Sequence, residues 1–515
     1  MTILDDIKEI EDKYKSLSDF LREMDRNPSS ISVSEMELFY HKFPEFCQSS
    51  LAINILYENS FILDSVPTEK LNEVIRTGEH AGKSAIYGLM KHPLGLQTLI
   101  QRANVLDKIT ADTLNLVISS GEEEGFSPVY WLSVYNEGKR ILDNFPSLVT
   151  KISKTSFNAP VKNGLLEMSS PFSVLFSCSE GLCTLDNPHL LSCITKDSLN
   201  RVLPKPQNRY PISDSDTHSI APVQAVAFNK QLMEFFINNL DIFLDLIRPD
   251  HLNNIVPYTG ESLLHTLFQN ESFIYNLAYP NHNPHSPNED QVSKFLSKIT
   301  AESFNRSRQD GYELGFCAPC SLLCRSDEGC RLLKSYPLLI PLFREDTFNL
   351  GHWTGKAEDG MSAAYCLATK NLGLAIYEKY PHLVNLINEQ GWNSFPEQGD
   401  NEGIKLSQWV MSGINHEHYL ADEPGADILR NKLAERNRAI ANDNSTDIVI
   451  PITVSLTSSS RGEPTTNVVI EDESNNQYAS ALTRHGLCAE VTSTSIAQIV
   501  DSEEDSVDTM SDLSL

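Results

Sequence analysis

The chain has 515 residues, of which 40% are hydrophobic and 21% charged, and a formal net charge of -28. That is material for one to four domains of ordinary globular composition. The excess of carboxylates argues against a general nucleic-acid binder, whose phosphate contacts need Lys and Arg, and against docking on anionic membranes.

The first predicted element is an amphipathic helix carrying Ile3, Ile7, Ile10 and Tyr14 at helical spacing. It is charged and lacks an apolar h-region, so it does not read as a secretory signal. Residues 1–44 are expected to form a helical cap. No apolar run reaches the roughly 18 residues that a membrane span needs. The ten cysteines show no disulfide framework and are expected to be reduced, in a cytosolic compartment.

From about residue 45 the sequence repeats. "SAIYGLMKHPLG" from Ser84, "SPVYWLSVYNEG" from Ser127, "SPFSVLFSCSEG" from Ser170, "APCSLLCRSDEG" from Ala318 and "SAAYCLATKNLG" from Ser362 align without gaps. "APVQAVAFNKQL" from Ala221 and "SLLHTLFQNESF" from Ser262 follow the pattern without its Gly, and "SLAINILYENSF" from Ser50 is read as a first copy. Each copy closes on Asn: Asn72, Asn115, Asn158, Asn200, Asn253, Asn305, Asn349 and Asn393, at intervals of 43, 43, 42, 53, 52, 44 and 44 residues. Periods of that length mark a solenoid.

Within a unit the opening Ser is a helix N-cap, with Pro128, Pro171, Pro222 or Pro319 in the first helical turn, where Pro loses no hydrogen bond. Leu89, Leu132, Leu175, Leu267, Leu323 and Leu367 are expected to face inward. Gly95, Gly138, Gly181, Gly329 and Gly373 are expected to supply a left-handed helix stop. A second helix should end before Pro146, Pro188, Pro337 or Pro381. A short third turn, capped by Thr110, Thr195 or Thr300, should carry the apolar residue before the Asn. Such a unit cannot bury its apolar face alone, which predicts an all-α fold: an elongated helical solenoid of about eight repeats over residues 45–415.

"SLLHTLF", Ser262 to Phe268, resembles the "TPLHxA" opening of an ankyrin repeat, and "SPVYWLS" and "SAAYCLA" are looser versions of it. The unit is about ten residues longer than the usual 33, and a HEAT-like helical array stays open as the alternative. Long, Asn-closed, ankyrin-like units are similar to those of type IV-secreted (Dot/Icm-type) effectors of intracellular bacteria. The resemblance implies a protein–protein interaction scaffold that binds a host protein in the host cytoplasm. His265 occupies the place of the His in the ankyrin opening, which in ankyrin repeats supports turn hydrogen bonds, and Tyr87, Tyr130 and Tyr365 stand at the same place.

Residues 416–515 are expected to hold a polar helix in "ADILRNKLAERNRAIA", a possible hairpin from "DIVIPITVSL" and "TNVVIEDE", and a disordered acidic tail. The Ser-rich, acidic end from Ser502 to Leu515 is similar to C-terminal translocation signals. It would serve the secretion machinery by a leaderless route.

Candidate chemistry is sparse. Cys317 and Cys320 have the Cys-x-x-Cys spacing of a zinc ligand pair, joined by Cys324 and Cys330. They fall where other copies carry core residues, so they read as packing thiols, as do Cys178, Cys183 and Cys193. His416 and His418 are two apart and do not share a helix face. His485 and Cys488 form only a superficial pair. No phosphate-binding or hydrolase motif is present. No catalytic, cofactor-binding or metal-binding residue is assigned. The alternative is an effector enzyme that uses the repeats as a substrate-selecting arm, with its chemistry at residues 420–515. Insertions at Pro204–Ser219 and Tyr279–Gln291 mark candidate binding loops.

Overall fold

The computed structural model describes residues 17–27, 31–163, 167–203, 220–255, 262–307, 317–324, 327–351, 360–397, 402–412 and 424–443. The helix predicted over 3–14, the insertion Pro204–Ser219, His416, His418, the candidate hairpin, His485, Cys488 and the acidic tail lie outside them. By contact the chain divides into residues 1–445 and 446–515, and all described residues belong to the first unit.

Every regular element among the described residues is helical. The opening Ser residues work as caps: the Ser84, Ser127 and Ser362 hydroxyls accept the backbone N–H of Tyr87, Tyr130 and Tyr365, each at 3.1 Å. In the unit opening at Ser127 the helices are Pro128–Val134, Asn136–Asn144, Pro146–Val149 and Lys154–Asn158. The same order recurs along the chain. First helices touch first helices: Val33–Phe46, Ala85–Lys91, Pro128–Val134 and Pro171–Leu175 are successive neighbours, as are Leu263–Gln269, Ala318–Cys324 and Ala363–Ala368. Second helices form a parallel layer from Ser50–Glu58 to Asn371–Lys379. The result is an all-α, solenoid-like stack in which each unit buries its apolar face on the next. Leu89, Leu132, Leu175, Leu267, Leu323 and Leu367 are all fully buried.

Four features depart from expectation. The stretch from Ser50 is not an opening segment. Its helix, Ser50–Glu58, lies in the second layer against Pro93–Gln101, and the first-layer helix before it is Val33–Phe46, capped by Ser32 and Glu35. The prolines that end the second helix also begin a third, as Pro146, Pro188, Pro337 and Pro381 do, because Pro fits the first helical turn. A unit therefore has four helical segments.

The recurrent Gly is not a helix stop. Gly95, Gly138, Gly181, Gly329 and Gly373 lie inside the first turn of the second helix. A Cβ there would come within 2.0, 2.3, 2.1, 1.7 and 1.9 Å of a carbonyl oxygen of the first helix, that of Leu89, Leu132, Leu175, Leu322 and Leu367 respectively. The Gly lets the second helix sit directly on the end of the first. In the two units without it, Asn229 and Asn270 cap the second helix through their side chains.

The cysteines are not all free thiols. Cys324 and Cys366, 42 residues apart on adjacent first helices, form a disulfide with a Cα–Cα distance of 5.1 Å. That separation suits the bond. Periodicity alone does not show that stacking brings these two positions face to face.

A chain of amides joins the units. Asn72 Nδ2 donates to the carbonyl of Thr68 in its own helix at 2.7 Å and to that of Lys108 in the next unit at 2.9 Å, while its Oδ1 accepts the N–H of Thr110 at 2.9 Å. Asn115, Asn200, Asn253, Asn305 and Asn349 repeat all three bonds. At Asn158 the two donor bonds form, to Lys154 and Cys193, but Oδ1 is buried without a partner. There Thr195 and Ser198 close a reciprocal capping box that takes up the Thr195 N–H locally. Asn393, the last of the series, bonds only within its own helix, to the carbonyl and carboxylate of Glu389. Beyond it, Leu406–Ser412 packs in the first layer and Pro424–Asp443, which contains the predicted polar helix, in the second.

Between units the chain turns back in a narrow loop. Ile75 and Gly82, Ile118 and Gly125, and Val161 and Met168 mark its two limbs. The N–H of Ile118 donates to Phe126 and that of Gly125 to Ile118, at 2.9 and 2.8 Å. Gly82, Gly125, Met168 and Gly360, each two residues before the capping Ser, all have positive φ, and Met168 alone does so without being Gly.

Candidate interaction surface

The first helix is buried on nearly every side, so what it presents is confined to its end. Seven and eight residues after each cap stand Lys91 and His92, Val134 and Tyr135, Phe228 and Asn229, Gln269 and Asn270, and Thr369 and Lys370, all half-buried. In the unit opening at Ser170 only Cys178 of this pair is half-buried. The repeat places these side chains in one register, so stacking lines them up as a strip along the first unit of the chain. The strip is rich in aromatic and amide groups, which combine apolar contact with hydrogen bonding.

At its N-terminal part Trp131 is stacked on Phe126, with ring centroids 4.8 Å apart and planes 5° apart, and on Tyr135 at 6.1 Å. Tyr130 meets Trp131 edge to face at 5.6 Å. Beside this stack the loop residue Glu123 receives hydrogen bonds from Tyr87 Oη at 2.7 Å and Lys91 Nζ at 2.6 Å, and pairs with Lys83 Nζ at 3.0 Å. Burial disfavours its charge, but the three donors outweigh that and hold its carboxyl down at about 2. Burial, then the bond to Glu123, pushes the Tyr87 phenol well above its ordinary range.

In the middle of the strip a cavity of roughly 290 Å³ opens, lined by Phe228, Asn229, Met233, Thr266, Gln269 and Asn270 among others. Its cause lies in the two units without the Gly. The first helix of one is only Pro222–Ala225, a turn shorter than Leu263–Gln269, and neither second helix is drawn onto the first by a Gly contact. The two capping Asn residues are part of its lining.

The candidate loop Tyr279–Gln291 is closed on itself. His282 Nδ1 lies 2.6 Å from the carbonyl of Tyr279 and 2.7 Å from Ser286 Oγ, and Ser286 Oγ lies 3.1 Å from Asn276 Oδ1. A carbonyl as partner requires the proton on Nδ1, so Ser286 turns its own proton to Asn276. Ser286 is 6% exposed, which leaves a loop clamp rather than an activated nucleophile. Tyr275, 43% exposed, meets His282 edge to face, and Arg331 lies over the Tyr279 ring at 4.8 Å.

The other candidates resolve as framework. His265 Nε2 donates at 2.7 Å to the carbonyl of Arg306, the residue after the Asn305 that closes its own unit, and Nδ1 lies 2.9 Å from Ser262 Oγ. Both residues are at most 3% exposed, so this Ser–His pair caps a helix and ties the start of its unit to the end of it. Cys317 and Cys320 are buried with sulfurs 3.4 Å apart. Cys324 is in the disulfide, and Cys330 is fully buried. Among the described residues no three His, Cys, Asp or Glu side chains are placed to hold a metal ion, and no helix is long and apolar enough to cross a membrane. Compared with protein-family models, with curated proteins and with solved structures, the chain has no match.

Proposed function

We propose that the chain is a protein-interaction scaffold, an ankyrin-like array of eight units that binds a protein partner along the strip from Lys91 to Lys370. The observation that carries this is the register: half-buried aromatic, amide and basic side chains recur at the same two positions of successive units, beside an open cavity of roughly 290 Å³. The Ser262–His265 cap and the narrow inter-unit loops support the ankyrin-like type. In a chain of net charge -28 the strip carries both Lys and aromatic side chains, which suits a protein segment rather than nucleic acid.

The partner belongs, on this reading, to a host cell, and the acidic segment Ser502–Leu515 addresses the chain to a type IV secretion machinery. A translocation reporter fused to the full chain and to a chain lacking that segment tests the address. Loss of delivery is expected, and undiminished delivery would refute it. For the strip, the full chain and its Trp131→Ala/Gln269→Ala variant are compared in capture from host lysate. A variant outside the strip, Asp107→Ala at an exposed position of the third helical segment Ala103–Lys108, is the control. The strip variant should lose the captured partner while helicity stays unchanged. Equal capture by all three would place the receptor surface elsewhere.

A further inference from the structure

Twelve residues after the cap, the second helix carries a buried apolar side chain or thiol: Leu96, Leu182, Met233, Ile274, Cys330 and Leu374, none more than 8% exposed. In the unit opening at Ser127 the same place holds Lys139, itself 8% exposed. A lysine is rarely so buried unless its charge is matched. Its ammonium reaches Asn136 Oδ1 at 3.3 Å and Cys178 Sγ of the next unit at 3.4 Å. No carboxylate pairs with it among the described residues. Cys178 is half-buried, at the start of the helix Ser179–Leu185, with Ser179 and Glu180 exposed beside it.

The seam between the units opening at Ala318 and Ser362 holds the same two residue types exchanged. Cys330 stands at the Lys139 position and Lys370 at the Cys178 position. There Lys370 Nζ has Asp327 at 3.5 Å and donates to the carbonyl of Leu323 at 2.8 Å, so its charge is met by oxygen. Cys330 is fully buried, and burial pushes its thiol up to about 12. Of these two seams, only the first sets an ammonium that has no carboxylate partner among the described residues against the sulfur of a half-buried cysteine.

We infer that Cys178 is a covalent modification site, a thiol that forms mixed disulfides with low-molecular-weight disulfides, and that Lys139 supplies the positive charge that promotes the attack. Cys178 Sγ forms a bond to one sulfur of the small disulfide and the S–S bond of that molecule breaks. The departing half leaves as a thiol, carrying the proton that Cys178 gives up through water. Negative charge builds on Sγ as it attacks, and a fixed ammonium in a water-poor site stabilises it more than bulk solvent does. The neighbouring unit carries an internal standard: Cys183, on the same helix, is exposed, and among the described residues no ammonium is hydrogen-bonded to it.

The test uses the folded full chain and a neutral probe, 2-hydroxyethyl disulfide, so that the net charge of the protein does not bias approach. Site-resolved mass spectrometry follows each cysteine with time. Cys178 should be modified about tenfold faster than Cys183, or more, since exchange rates follow the charge available at sulfur. Cys330 should stay unmodified until the chain unfolds. Lys139→Met, which keeps the length of the side chain without its charge, should remove the advantage of Cys178. Lys139→Arg should restore part of it. Cys183 reacting as fast as Cys178 in the unaltered chain overturns the proposal, and this outcome needs no variant to fold. An unchanged Cys178 rate in a folded Lys139→Met chain overturns it equally.

Discussion

Asn115 holds Ser153 across a unit boundary: its Oδ1 accepts the Ser153 N–H at 2.7 Å while its Nδ2 donates to the carbonyl of Lys151 at 2.7 Å. One short side chain thus satisfies a donor and an acceptor of the next unit. Asn115→Ala leaves both without a partner, and each such group costs about 1–3 kcal/mol. The expected loss is roughly 2–4 kcal/mol in urea unfolding followed by circular dichroism. Asn393→Ala, where no later bond of this kind exists, should cost well under that.

Gly138→Ala reverses the usual rule that Ala stabilises a helix by up to about 1 kcal/mol over Gly. The new Cβ would lie 2.3 Å from the carbonyl oxygen of Leu132, so the second helix has to lift off the first. A destabilisation of about 2–4 kcal/mol is expected from the same unfolding measurement. Gly78→Ala, at positive φ with open space around it, should cost about 1 kcal/mol.

Glu123 sets an acid limit on the first units. Its carboxyl titrates at about 2 in the folded chain against an ordinary 4.5. The folded value is the lower one, so its contribution is complete above pH 4.5 and is lost as pH falls toward 2. The expected size is about 2–3 kcal/mol. Melting temperatures of the unaltered chain and of Glu123→Gln, taken from pH 6 down to 2, should converge across that window. Parallel curves would show that the carboxylate contributes nothing specific.

Ser198→Ala should be nearly silent, within about 1 kcal/mol, because the Thr195 N–H it releases can turn to the unpartnered Oδ1 of Asn158. Hydrogen exchange at Thr195 reads the outcome directly. Protection should persist in the variant, and rapid exchange there would show that Asn158 does not take over.

The periodic parts of this structure could be read from residue order because each works within one turn of helix. Ser127 caps the N–H three residues on, Pro128 follows it in the first helical turn, and Thr110 caps a short helix, all local relations that spacing reveals. The Gly at the eleventh position misleads, since its spacing is the same whether it relaxes its own φ or makes room for a neighbouring carbonyl. The Gly of the return loop, two residues before the cap in "AGKS", "EGFS" and "DGMS", is a local signal of the positive-φ turn that residue order does carry. The strip, the Cys324–Cys366 bond and the Lys139–Cys178 pair depend on which positions stacking brings together. None of these is visible until neighbouring units are placed side by side.

The amide ladder points one way. Every Asn from Asn72 to Asn349 reaches toward the following unit, and none has to return to the beginning for the set to be complete. Among the described residues this ladder has no closing bond, unlike that of a barrel or a propeller. Its length is therefore a free variable, as in a polymer, and a gene for it can gain or lose a whole interval between successive Asn residues without orphaning an amide. Half an interval cannot be exchanged in this way. The natural currency of variation in this chain is the complete unit of some 43 residues rather than the helix.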